Sequence, residues 1–172
     1  MSSILPVIII IFAIAMIVGP IMMLQPSRGQ LRTIKLRQEA AKNGLIVHSV
    51  EKQTGSGRRL MCYLLTWPDK YKVKQEWALE LKAFEHGVHF NDRWDWLGSV
   101  PEFVNSEGRS RDTQGLKNYL ISLPEGVYGV GSNRMGCYCE WNEHVGDGTE
   151  ADAITSLTTR LGELAKLTLQ LD

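Results

Sequence analysis

From Ile4 to Leu24 the chain carries no charged residue, and apolar side chains fill nearly every position. At about 1.5 Å per helical residue, such a run matches a hydrocarbon core about 30 Å thick and predicts a transmembrane helix over 4–24. The pattern then changes. Residues 27–43 set basic side chains beside an approximate stripe of Leu31, Ile34 and Ala41 that continues to Leu45, which predicts a short basic helix stopped by Asn43-Gly44. Beyond Gly44 the period becomes two. Segments 45–50 and 59–66 read as arms of a hairpin turning at Gly55-Ser56-Gly57. Trp77, Leu79 and Leu81 alternate with Glu76, Glu80 and Lys82, which predicts a third strand over a competing helix at 76–83.

The tract from His86 to Gly115 has no clean period. Its aromatic residues Phe90, Trp94, Trp96 and Phe103 stand among turn formers, which predicts a compact loop with the rings against the sheet. Thr113 is placed to cap a short helix that ends before Pro124. Segments 127–131 and 136–141 predict a second hairpin turning at 132–134. From Thr149 a long amphipathic helix follows, with Asp152 as its capping-box acid and Ile154, Leu157, Leu161, Leu164 and Leu171 as its stripe, interrupted by Thr168. The same spacing suits a coiled coil, but it spans fewer than about three heptads, so packing across a sheet is the favoured use. Strands in runs rather than in strict alternation with helices define an α+β fold. It comprises one N-terminal transmembrane helix and a single domain over 45–172 with a mainly antiparallel sheet, a short helix and a long C-terminal helix.

Charge adds a direction. Arg28, Arg32, Lys35, Arg37 and Lys42 face one acid, Glu39, within that short segment, whereas from residue 43 onward acids outnumber bases by four. Basic residues beside a span stay on the cytoplasmic side, which predicts a single-pass protein of the bacterial inner membrane with its N-terminus out and its domain in the cytoplasm. The same five cations suit anionic membrane lipid. The acidic domain argues against nucleic acid as a partner. Hydrophobic residues make up 44% of the chain and charged residues 22%, enough to bury a core.

Within the apolar stretch, Ala15 and Gly19 are four apart, a spacing that lets another helix approach closely, and Pro20 bends a helix by removing a backbone donor. Downstream, Cys137 and Cys139 fall on one face of a strand and His144 follows, a soft donor set that makes zinc the candidate metal; His86 and His89 form a second close pair. Against this, C-x-C is not the usual C-x-x-C knuckle, and cysteine in a strand is commonly buried and inert. Catalysis has no positive support. No G-x-S-x-G is present, and the glycines at 126, 129 and 131 lack the G-K-[ST] and following helix of a phosphate loop, so they read as a glycine-relieved hairpin. Trp94 and Trp96 serve either as core filling or as an interface.

The run Leu24-Gln25-Pro26-Ser27-Arg28 into a basic helix, then Lys42-Asn43-Gly44-Leu45-Ile46-Val47 entering a β-rich piece, resembles the layout of YajC, the accessory subunit of the bacterial Sec translocase, over about residues 1–50. The resemblance implies an inner-membrane protein beside the Sec channel with no catalytic residues of its own. Two classes of function follow from the whole chain. One is a non-enzymatic, membrane-anchored interaction domain that joins a membrane-protein partner through its sheet, its aromatic loop or its last helix. The other is a metal or ligand sensor built on Cys137, Cys139 and histidines.

Overall fold

A computed structural model describes residues 4–23, 25–53, 59–68, 71, 75–83, 90–98, 100–105 and 113–171. The chain divides into two compact units, Met1–Ile34 and Lys35–Asp172.

The first unit holds α1 (Ile4–Met23) and the start of α2 (Arg28–Lys42). Ser27 and Gln30 form a reciprocal cap on α2. The Gln30 N–H donates to Ser27 Oγ at 3.3 Å, and the Ser27 N–H donates to Gln30 Oε1 at 2.8 Å. The side chains of α1 are described from residue 4 to 18 and are exposed. Among the described residues no helix is long and apolar enough to cross a membrane. The expected transmembrane helix over 4–24, and the single-pass inner-membrane placement built on it, are corrected accordingly.

The second unit is α+β. Six strands, β1 (Leu45–Gln53), β2 (Arg59–Thr66), β3 (Trp77–Leu81), β4 (Trp94–Trp96), β5 (Val127–Ser132) and β6 (Gly136–Trp141), form one antiparallel sheet in the order β1-β2-β6-β5-β3-β4. The helices are the end of α2, the short α3 (Glu102–Asn105), α4 (Gln114–Ile121) and α5 (Glu150–Leu171). Strand alternation sorts the side chains cleanly. Met61, Tyr63 and Leu65 of β2 stand opposite Trp141, Cys139 and Cys137 of β6, and Val130 and Leu79 continue the same face across β5 and β3. All but the half-buried Leu65, which packs against them, belong to the core cluster, which α5 closes from above with Ile154, Leu157, Leu161 and Leu164. Each large apolar side chain so buried contributes about 1.5–3 kcal/mol.

Thr149 caps α5 as its sequence position requires. Its hydroxyl accepts the Asp152 N–H at 3.2 Å and donates to the Asp152 carboxylate at 2.6 Å. Thr168, which interrupts the leucine stripe, is itself buried with its Oγ1 3.7 Å from Cys137 Sγ. At the β5–β6 turn, Asn133 Oδ1 accepts the N–H groups of Met135 and Gly136 at 2.8 and 3.1 Å. Gly136 has to be glycine because any Cβ there would collide with the Leu65 carbonyl of β2.

Two expectations shift. The buried positions of α2 are Leu36 and Ala40, not the Leu31, Ile34 and Ala41 stripe; only its last turns pack on the sheet, so the core selects the residues that face it there. The aromatic loop contains a short edge strand, β4, and α3. The 55–57 turn, His86 and His89 lie outside the described residues.

α2 is pinned by a polar network at its packed end. The Arg37 guanidinium donates to both carboxylate oxygens of Glu143, at 2.8 and 2.9 Å, and the Tyr63 hydroxyl donates to Glu143 Oε1 at 3.0 Å. Tyr63 is fully buried, and Glu143 adopts a φ of +59°, a left-handed conformation that costs a residue with a Cβ. Desolvation and the neighbouring carboxylate push the Tyr63 phenol well above its ordinary range, so it acts only as a donor.

Candidate functional site

All the helix packing described above falls on one face of the sheet. On the opposite face, two rows of residues run across neighbouring strands. The first is His48, Cys62, Glu140, Gly129, Glu80 and Asp95; the second is Ile46, Leu64, Tyr138, Gly131 and Ala78, each residue the register partner of the next. Leu60, Cys62 and Leu64 are buried there, yet lie outside the core cluster. A cleft of about 590 Å³ opens on this face, lined among others by His48, Cys62, Glu76, Tyr138 and Glu140.

Two glycines shape its floor. A Cβ on Gly131 would stand 2.7 Å from the Tyr138 Oη, and one on Gly129 would stand 2.8 Å from a Glu140 carboxylate oxygen. The phenol and the carboxylate therefore lie across β5, in space that any larger residue would occupy. This explains the glycine string better than phosphate binding does.

Among the described residues, burial and the carboxylates of Glu140 and Glu76 set the protonation of the groups beside them. Burial, with the Glu140 carboxylate adding to it, pushes the Cys62 thiol up to about 12. Burial, then Glu140, Cys62 and Glu76, push the Tyr138 phenol up to about 12. Both groups are protonated at neutral pH, so Cys62 offers a weak donor rather than a thiolate nucleophile. At the rim, the Arg134 guanidinium approaches Glu76 at 2.8 Å, and both side chains are exposed.

The residues singled out from sequence lie elsewhere. Cys137 and Cys139 point into the core with 0% and 1% exposure, whereas His144 is exposed beyond β6. The structure does not assemble these three, and among the described residues no group of three or more His, Cys, Asp or Glu side chains could hold a metal ion. Burial holds the Cys137 thiol at about 11 and raises that of Cys139 further, the behaviour of inert core thiols. Trp94 is buried in β4; Trp96 stacks edge-on against Trp77 and Phe103, each with centroids 6.0 Å apart, and tilts against Phe90 at 4.8 Å. Arg37, grouped by its charge with the other cations, is committed to Glu143, and Lys42 to Glu39 at 2.6 Å. Ala15 is exposed on α1, while the side-chain surroundings of Gly19 and Pro20 lie outside the described residues.

His48, Cys62, Tyr138 and Glu140 were not singled out from sequence. Their signal is strand alternation: in MCYLL and GCYCEW, Cys62, Tyr138 and Glu140 each sit between core residues, and only the register of three strands brings them together with His48. Searches against protein-family models, curated proteins and solved structures find no match to the chain.

Proposed function

We propose that the chain is a non-enzymatic interaction domain that docks a partner protein on the cleft-bearing face of its sheet. The observation that carries this reading is the layering of the described residues: the core, α4 and α5 occupy one face, and the other carries a cleft of about 590 Å³ beside the exposed Ile46 and His48. Of the three surfaces open to such a role, the stripe of α5 is consumed by core packing and Trp94 is buried, which leaves the sheet. A protonated Cys62 beside a carboxylate favours binding over nucleophilic chemistry.

The test is crosslinking and co-purification with full-length protein. Ile46, 45% exposed on the cleft face, and the neighbouring His48 are changed together to aspartate, with Thr155→Asp on the outer face of α5 as control. A partner held by the native chain and the control, and lost from the double variant, supports docking on the sheet. Equal retention by all three would refute it.

A further inference from the structure

We infer that the docking partner presents an extended segment that adds to the sheet as a strand beside β1, with alternate side chains entering the cleft; this rests on the docking reading above. β1 stands at one end of the strand order, and among the described residues β2 is its only strand neighbour. Alternate residues of such a strand turn their N–H and C=O groups away from the neighbour, and the complement of a row of main-chain donors and acceptors is another main chain. At nine residues β1 is long for an edge strand. From Leu45 to Ser49 it keeps unbroken register with Leu65 to Met61, which gives that row an even repeat. Ile46 and His48 on one face and Ser49 on the other are exposed, so both faces of this stretch meet solvent.

The cleft reaches that edge. His48 and Ser49, which the regular register sends to opposite faces, both line it, followed by Val50 and Glu51, so it extends over the rim of β1 and not only across one face. The register also leaves main-chain groups there. Between the pairs Ser49 with Met61 and Gln53 with Arg59, the residues Val50, Glu51 and Lys52 stand against Leu60 alone, which has one N–H and one C=O to set against three of each. An incoming strand supplies partners for such groups, and its side chains on the cleft face fall beside Ile46, which is 45% exposed, and His48. The cleft of about 590 Å³ then gives those side chains a pocket that a bare sheet edge lacks.

The experiment pans the immobilised full chain against a phage-displayed library of random linear peptides, then titrates the enriched peptides into the ¹⁵N-labelled full chain. Saturable shifts centred on the amides of Ile46 to Glu51, with hydrogen exchange slowed at alternate ones, support strand addition. Each peptide is then remade with single N-methyl residues, which removes one main-chain donor at a time and leaves the protein unaltered. Binding about tenfold weaker on methylation at alternate positions, and little changed at those between, supports pairing with β1. Uniform tolerance of N-methylation, shifts confined to other elements, or no enriched peptide overturns it. A concentration-dependent dimer of the chain alone, with the same β1 amides protected, also overturns it by making a second copy the occupant. If strand addition fails while the Ile46 and His48 double variant still loses its partner, docking on the cleft-bearing face stands alone; if partner retention is also unchanged, both readings fall.

Discussion

The Arg37–Glu143–Tyr63 network makes a quantitative prediction about what holds α2 to the sheet. In Glu143→Ala, the Tyr63 hydroxyl keeps its place at 0% exposure but loses its acceptor, and Arg37 loses a bidentate partner. Orphaning a buried hydroxyl costs about 1–3 kcal/mol. The Arg37 side chain is 42% exposed, so its pairing is screened and contributes only about 0.5–1 kcal/mol. Alanine at 143 retains a Cβ at φ +59°, so no backbone strain is recovered. The sum is a loss of roughly 2–3 kcal/mol, which lowers Tm by about 8–12 °C for a domain of this size. Urea unfolding followed by tryptophan fluorescence measures it. The sharper assay is the double variant with Tyr63→Phe. If the penalty lies in the orphaned hydroxyl, removing that hydroxyl returns about 1 kcal/mol or more, and the double variant is more stable than Glu143→Ala alone. A loss below about 0.5 kcal/mol in Glu143→Ala, or a double variant less stable than the single one, would refute the reasoning.

Further predictions concern the cap, the tight crossing and pH. Thr149→Ala removes the acceptor of the Asp152 N–H and should cost about 1 kcal/mol by denaturant midpoint. Gly136→Ala drives a methyl group into the Leu65 carbonyl; a loss of about 1–3 kcal/mol is expected, and a neutral variant would show that the strands are less closely apposed. Burial raises Cys62 and Tyr138 to about 12 and Cys137 to about 11, from ordinary values of 9.0 for the thiols and 10.0 for the phenol. Groups with raised folded values favour the folded state only as long as the unfolded chain keeps its protons too. Stability is therefore unaffected by these groups below pH 9 and falls steadily between pH 9 and 12, as the unfolded chain loses protons that the folded one retains. A urea midpoint that stays flat to pH 12 would contradict the burial of these side chains.

Local pattern determined most of the elements. The alternation in 59–66, the Thr149 cap with its leucine stripe and the turn at 132–134 are short-range signals. Each ends where the sequence places its stop, because caps and turns are satisfied by neighbours within about four residues. The α+β layering followed from the order of those elements, and the shared face of Cys137 and Cys139 followed from a period of two. Tertiary structure decided everything that depends on register and on what a face meets. It turned Cys137 and Cys139 inward beneath α5, because β6 lies at the centre of the sheet. It moved the buried side of α2 to Leu36 and Ala40, and it recruited Arg37 to a carboxylate 106 positions away. It also drew β4 out of an aromatic tract that has no period of its own. The cleft was the least legible part. His48, Cys62 and Glu140 become neighbours only when β1, β2 and β6 pair in one register, and a shift of one residue would carry all three side chains to the other face.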